Sequence, residues 1–396
     1  MEKIMNGLKE TIDKIVTEGM AQDNMTGANV LVLHKGQVIF RESYGYADRE
    51  NQVPMKDDTI FKLYSMSKPV TSAAAMIAVE KGLIGIQDPV SKYLPEYGNL
   101  KVYNTDGTVR PAKTEMTVFQ LLTMTSALCY PNIDTPTGMD MCKVFDAAKE
   151  KLLRGEHTST REYCRLIAGV PLDFDPGERW AYGLSADVLG CIIEVASGQK
   201  LSEFMKAELF EPLEMTDTDF YVPKEKWHRL AQWYLKDETT GKLNVFEDIH
   251  LGVGKYDEAP LFESGGAGLV STLEDYSHFA QMMINGGNYK GRQILKPESI
   301  EMMSKDQLKT EQKVRFDWDS VKGHGYGFLM RVLLDPKEAA TKATKGEFGW
   351  DGWTGTYVIM NPAQELLIVY LIQRVGSGTT PEVLAIKNAV YDAVLC

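Results

Sequence analysis

A serine and a lysine three residues apart open the run Ser65, Met66, Ser67, Lys68, Pro69. On a helix that spacing puts both side chains on one face, within reach of each other. Serine is a poor nucleophile until a base takes its proton, and an amine held neutral by desolvation or neighbouring charge is such a base. Ser65 is therefore a candidate nucleophile and Lys68 its candidate base. With 17 serines and 31 lysines, about one such spacing arises by chance, and the chain has two. The second, Ser197 to Lys200, is interrupted by Gly198 after the apolar series Leu189, Ile192, Ile193, Ala196, where a helix stops. Pro69, in contrast, is tolerated only in a first helical turn, which places Ser65 among unpaired N–H groups that favour developing negative charge. The bland alternative is a buried structural helix with an N-cap serine. The alanine-rich run from Ala73 to Ala78 fits a central helix packed closely on every side.

The elements that must position this pair follow from the rest of the chain. Met1 to Gly19, with Ile4, Leu8, Ile12, Ile15 and Val16 among charges, reads as an amphipathic helix and not a signal peptide. Ala28 to Leu33 and Gln37 to Tyr44 read as a hairpin around His34, Lys35, Gly36. The helix carrying Lys68 ends near Gly82. Between residues 86 and 254 strand signals are sparse: Thr117 with Gln120 makes a capping box, Asp140 to Leu153 reads as a helix, and Ser185 reads as the N-cap of a helix to Ala196. Tyr182 lies on the loop entering that last helix. Ser271 with Glu274 reads as the cap of a helix from Leu273 to Asn285, ended by Gly286. Gly325 to Leu334, Thr356 to Met360 and Glu365 to Gln373 read as strands, and Thr380 and Pro381 start a final helix. This order predicts an α+β (α/β sandwich) fold: an antiparallel sheet flanked by helices, with a mostly helical domain inserted. The expected division is 1–85 plus 255–396 for the sheet domain and 86–254 for the helical one, with the active site at their interface.

Composition narrows the function classes. The 396-residue chain is 44% hydrophobic, enough for a substantial core, and its net charge of −12 argues against general nucleic-acid or anionic-membrane partners. No apolar run approaches the ~20 residues of a membrane span. Five scattered cysteines (Cys129, Cys142, Cys164, Cys191, Cys396) show neither a disulfide framework nor zinc spacing, so reduced thiols and a cytoplasmic location are expected, with no metal or cofactor. None of the six histidines stands in triad spacing with an acid and no GxSxG elbow exists, which disfavours a conventional α/β-hydrolase.

With these residues in view, the chain resembles the serine β-lactamase and penicillin-binding-protein-like hydrolases, in the class C-like branch that includes the family VIII carboxylesterases. The resemblance runs from about residue 28 to 375. It rests on Ser65 to Lys68, Asp88 to Pro95, Leu121 to Leu128, Phe174 to Gly190 around Tyr182, Gly265 to Asp275, and Phe348 to Thr356, in that order. It implies a β-lactamase/transpeptidase-like fold in which Ser65 is acylated, Lys68 lies beside it, and Tyr182 is a second proton-transfer group. A nearby ammonium is expected to favour the Tyr182 phenolate. By the resemblance, the backbone N–H groups of Ser65 and Trp353 hold the oxyanion.

Two departures point away from β-lactams and peptides. Penicillin-recognising relatives carry Lys or His, then Thr or Ser, then Gly on a strand bordering the site; here Phe348, Gly349 are followed by Trp350, Asp351, Gly352, Trp353, so no cation is expected to meet a substrate carboxylate. Leu184 stands where Asn or Ser is common two residues after the tyrosine. Trp350, Asp351, Gly352 and Tyr130 are read as substrate-binding residues, suited to an apolar acyl or aromatic alcohol moiety. The expectation is a metal-free serine hydrolase that cleaves a small-molecule carboxylic ester. The competing readings are a D-amino-acid amidase or peptidase, a weak β-lactamase, an acyltransferase to a small-molecule alcohol, and a penicillin-binding-type sensor that acylates without turnover.

Overall fold

The computed structural model describes residues 2–254, 256–314 and 316–395. Helix α1, Glu2–Ala21, buries Leu8, Ile12 and Val16 and half-buries Ile15; the side chain of Ile4, and Cys396, lie outside the described residues. Strands β1 (Gly27–His34) and β2 (Gln37–Asp48) form the expected hairpin, and β3 (Val53–Pro54) pairs with β2. After β4 (Phe61–Lys62) comes α2 (Ser67–Glu80), then α3 (Val118–Leu122), α4 (Pro136–Leu153), α5 (Thr160–Ala168), α6 (Ser185–Ser197) and α7 (Leu201–Met205). The short β5 (Val270–Ser271) pairs with β4, and α8 (Leu273–Ile284) and α9 (Pro297–Met303) follow. Strands β6 (His324–Tyr326), β7 (Arg331–Leu333), β8 (Phe348–Asp351), β9 (Tyr357–Asn361) and β10 (Leu366–Leu371) lead to α10 (Pro381–Leu395).

The main sheet is antiparallel throughout, in the order β6-β7-β8-β9-β10-β1-β2-β3. Chain ends thus meet in its middle, where Val30 pairs with Tyr370 and Leu31 with Val369. Side chains alternate between two apolar layers, as the pleat requires. Val30, Val32, Ile359 and Ile368 pack with α1 and α10, while Leu31, Leu33, Val358 and Val369 pack on the side of α2 and α6. Both faces being covered, β1 reads as a continuous apolar run from Val30 to Leu33. The fold is α+β.

Helix α2 lies at the centre of the second layer, with Ser67 to Ala78 all buried. Its small side chains let α6 approach, and Gly198 ends α6 at φ +72°. Helix α4 starts at Pro136, before the expected Asp140, and other boundaries differ as well. Gly325 to Leu334 is not one strand but the hairpin β6–β7, turning through Gly327 and Leu329 (φ +58°), because Gly327 N–H bonds Met330 O and Leu329 N–H reaches Leu122 O. The turn is built from buried apolar residues and carries none of the polar signals that mark a turn. Thr272, not Ser271, caps α8, since Ser271 is still paired in β5. Ser185 is the first residue of α6 without capping it; its hydroxyl bonds that of Ser126 instead.

Lys62 precedes the candidate nucleophile and is as unusual as Lys68. Its Nζ donates to Ala231 O (3.0 Å) and stands 4.6 Å from the centroid of the Trp233 ring. Burial pushes both lysines from the ordinary 10.5 down to about 7. Between those values the unfolded chain binds more protons than the folded one, so stability rises with pH across this window, by up to ~1.4 kcal/mol per pH unit for each lysine. Urea unfolding at several pH values between neutrality and about 9 is expected to show that rise, and Lys62→Met to remove part of the slope. A flat profile in the wild type would contradict the burial of both amines.

Candidate active site

Ser65 lies in a single 3-10 turn, Tyr64–Met66, that runs directly into α2. Tyr64 holds φ +47°, a left-handed conformation unfavourable for a bulky residue by about 1–2 kcal/mol. Its ring packs between Trp353 and Trp233, at centroid distances of 5.0 and 5.8 Å, which holds the strained turn in place. Ser65 is half-buried and opens onto a cavity of about 720 Å³.

Lys68, wholly buried, places Nζ 3.1 Å from Ser65 Oγ, 2.8 Å from Tyr130 Oη and 2.7 Å from Gly266 O. Its pKa near 7 reflects burial, partly offset by the negative charges of Asp187 and Asp351. Near neutral pH a substantial share of molecules therefore presents a free amine lone pair beside the Ser65 hydroxyl. Tyr130, expected on the substrate wall, lines the cavity and also touches the candidate base.

Asp187, on α6, sets the position of the Gly266 carbonyl. Its Oδ1 accepts from Ser264 Oγ (2.5 Å) and Gly266 N–H (3.2 Å), and Thr71 Oγ1 fixes Gly265 O at 2.7 Å. The glycines are needed for this approach: a Cβ on Gly265 would stand 2.4 Å from Ala186 O.

Tyr182 reaches the same cluster from the loop before α6. Its phenol oxygen accepts from Trp350 Nε1 (3.0 Å), and its ring lies 5.6 Å from that of Tyr130. The expectation of a phenolate is not met. The Lys68 Nζ stands 4.8 Å from the centroid of the Tyr182 ring, and burial pushes the phenol pKa up, with Ser65 and Trp350 offsetting only part of it. That shift favours the neutral phenol over the phenolate. Trp350, read as a ligand wall, is 2% exposed and is chiefly the partner that orients it.

The turn after β8 is fastened to the residues just before Ser65. Gly352 N–H bonds Thr356 O (2.7 Å), and the hydroxyls of Thr354 and Thr356 donate to Lys62 O (2.8 Å) and Leu63 O (3.0 Å). A Cβ at Gly352 would stand 2.3 Å from Leu63 O, so a larger residue would push this turn away. Among the described residues, neither the Ser65 nor the Trp353 backbone N–H has a protein acceptor, and each is free to meet an oxygen anion. The Trp353 indole stacks on His250, with centroids 3.9 Å apart.

This combination of fold and cluster agrees with comparison to known proteins. The Beta-lactamase family model matches residues 12–392. The chain belongs to the Beta-lactamase family. Protein Rv1367c of Mycobacterium tuberculosis is 30% identical, covering 93% of this chain and 90% of its own. Esterase EstB of Burkholderia gladioli is 27% identical, covering 97% and 95%. Among solved structures, EstCE1, titled a hydrolase with promiscuous acyltransferase activity, superposes with a TM-score of 0.82 at 26% identity over 98% of this chain and 99% of its own. This member of the Beta-lactamase family thus falls beside esterase-like relatives. Among the described residues no helix is long and apolar enough to cross a membrane.

Beside the departure from the Beta-lactamase family pattern at Trp350 lies a buried ion pair. A cation does stand near Trp350 and Asp351: Arg331, from the neighbouring strand β7, 3% exposed and 5.4 Å from the centroid of a Trp350 ring. Its Nη1 donates to Asp351 Oδ2 (2.5 Å), which also accepts from Thr379 Oγ1 (2.5 Å). Engaged in that pair and absent from the cavity wall, Arg331 is not offered to a substrate carboxylate. Asp351 is thereby a partner of Arg331 at the cavity edge. Sequence reasoning missed Arg331, Asp187, His250 and Trp318, whose ring sits 5.2 Å from that of Tyr182. Only Asp187 left a trace, as a carboxylate interrupting an otherwise apolar helix face.

Proposed function

We propose that this protein is a serine hydrolase that cleaves carboxylic esters through a covalent acyl-enzyme on Ser65. The observation that carries the reading is the Ser65–Lys68 pair, in which the amine stands 3.1 Å from the hydroxyl and burial lowers its pKa to about 7. Lys68 takes the Ser65 proton as Oγ forms its bond to the ester carbonyl carbon. The resulting oxyanion receives the N–H groups of Ser65 and Trp353, each such donor being worth roughly 3 kcal/mol in the transition state. When the carbon–oxygen bond to the alcohol breaks, the leaving alkoxide needs a proton. Tyr182 is placed to give it: with Trp350 N–H on its oxygen, its own O–H stays free to donate, and the Lys68 ammonium then returns a proton to the Tyr182 phenolate. Water then attacks the acyl carbon while Lys68 takes its proton, the bond from that carbon to Ser65 Oγ breaks, and Lys68 gives the proton to Oγ, which releases the acid and restores the Ser65 hydroxyl.

No cofactor enters these steps. The missing free cation and Leu184 support an ester over a β-lactam or peptide. EstB and EstCE1 are named as an esterase and a hydrolase, which supports the same reading. The promiscuous acyltransferase activity in the EstCE1 title makes an alcohol, in place of water, the second acceptor to test. The four described cysteines are free thiols, in keeping with a cytoplasmic setting.

The test is hydrolysis of p-nitrophenyl butyrate beside a chromogenic cephalosporin, with intact-mass detection of a fluorophosphonate adduct. Ester turnover, slow cephalosporin cleavage and an adduct mapped to Ser65 are expected. Rapid cephalosporin cleavage would overturn the argument from Arg331 and Leu184.

A further inference from the structure

His250 lines the Ser65 cavity and takes no part in the proposed steps. Its ring stacks on the Trp353 indole, with centroids 3.9 Å and planes 14° apart, and its centroid lies 5.7 Å from that of Tyr64. The first of these residues is the proposed oxyanion donor and the second is the neighbour of Ser65. The backbone fixes the ring as well. Lys149 of α4 pairs with Asp248 at 2.5 Å, and Val253 N–H donates to His250 O (3.1 Å) across a tight turn at Leu251 and Gly252, with φ +54° and +71°.

The two ring nitrogens differ in surroundings. Nδ1 is buried without a hydrogen-bond partner. Nε2 is not enclosed, and among the described residues no protein group bonds it, so it opens onto the cavity that the ring lines. Burial pushes the pKa of the ring down to about 4, with Asp248 opposing the shift and Lys149 adding to it. A neutral imidazole carries one N–H. A buried N–H without an acceptor is rarer than a buried lone pair without a donor, which puts the proton on Nε2 and turns an N–H towards the cavity.

The rings also separate the two halves of a bound ester. Tyr182 stands in one group with Tyr130, Trp318 and Trp350, and His250 in another with Tyr64 and Trp353; among the described residues no ring contact joins the groups. Tyr182 serves the leaving alkoxide, so the alcohol half meets the first group and the acyl half the second. Asp146, Asp319 and Asp351 line the same cavity, and Lys149 is engaged by Asp248, which disfavours a carboxylate as the group that meets His250.

Resting on the esterase reading, we infer that His250 is a specificity-determining residue whose Nε2–H donates to a neutral acceptor oxygen on the acyl half, so that the preferred substrates are esters of keto or alkoxy acids.

The experiment measures kcat/KM for p-nitrophenyl levulinate against the pentanoate, and for the acetoacetate against the butyrate, in the wild type, His250→Phe and His250→Gln. Phe keeps a ring to stack on Trp353 and removes the N–H; Leu replaces it should that variant not fold. Gln restores a donor on a flexible chain. The ratio of the better keto ester to its plain partner is expected to fall by about tenfold in His250→Phe and to lie in between in His250→Gln. Taking the ratio within each protein cancels any general loss of rate and the intrinsic reactivity of each ester. Acetonyl butyrate against propyl butyrate puts the acceptor on the alcohol, and that ratio is expected to be the same in all three proteins. Independently of turnover, calorimetry of methyl levulinate and methyl pentanoate on Ser65→Ala, with and without His250→Phe, is expected to show the same fall in the ratio of affinities. Absence of ester hydrolysis in the wild type, with that binding difference intact, would refute the esterase reading and leave the contact to His250 standing. Equal ratios in the wild type and His250→Phe, or a change confined to the acetonyl ester, would overturn the inference.

Discussion

Ser65→Ala lowers kcat for p-nitrophenyl ester hydrolysis by about 10⁴-fold or more, with folding stability changed by less than about 1 kcal/mol. The kinetic loss follows because no other hydroxyl stands beside Lys68 in a position to form the acyl bond. Tyr130 Oη is 2.8 Å from Nζ, but burial pushes its pKa up, and a phenyl ester of it would leave the Ser65 and Trp353 N–H groups misplaced for the oxyanion. The small stability change follows from what the Ser65 side chain touches. It is half-buried at the cavity; its hydroxyl bonds Lys68, which keeps Tyr130 and Gly266 as partners, and interacts with the phenols of Tyr130 and Tyr182. Kinetics with active-site titration, beside urea unfolding of the same preparation, measures both quantities. A variant that retains a tenth of the wild-type rate would remove Ser65 from the mechanism.

Local elements were largely legible before any coordinates. The Ser65–Lys68 spacing with Pro69 located α2, the Thr117–Gln120 capping box opened α3, and the hairpin β1–β2 followed from its turn. These signals lie within a few residues of what they determine. What stayed hidden depends on strands and loops that meet across the chain. The Trp350–Tyr182 hydrogen bond joins residues 168 positions apart, and Tyr130 meets Lys68 across 62. Arg331 is the instructive case. Reading 325–334 as one strand left no way to see that β7 lies beside β8 and brings a guanidinium to Asp351. The error in the turn therefore hid a buried ion pair. Tyr182 was hidden for a related reason: position in sequence says that an amine is near, and the structure adds that it stands 4.8 Å from the ring centroid.

Electrostatics at Lys68 lead to the second large effect. Lys68→Ala removes the base and is expected to lower kcat/KM by about 10³-fold. Asp187→Asn is the finer probe, because an amide oxygen still accepts from Ser264 Oγ and Gly266 N–H, so the Gly266 carbonyl stays in place while the charge is lost. The groups facing Lys68 are Ser65, Tyr130, Tyr182, the Gly266 carbonyl, Asp187 and Asp351; of these the two carboxylates stabilise the ammonium. Asp187 is itself pushed up by burial, with Lys68, Ser264 Oγ and the Gly266 N–H acting in the opposite direction. Removing its charge leaves burial less opposed, so the Lys68 pKa falls below its value of about 7. Because the neutral amine is the active form, the acid limb of the kcat/KM profile moves to lower pH, by roughly one unit. At a pH below that limb the variant is then faster, relative to its own plateau, than the wild type. A merely structural role for Asp187 would lower the plateau and leave the limb where it was. An upward shift would mean that the deprotonated amine is not the species that activates Ser65, and the proposed chemistry would have to begin from the ammonium instead.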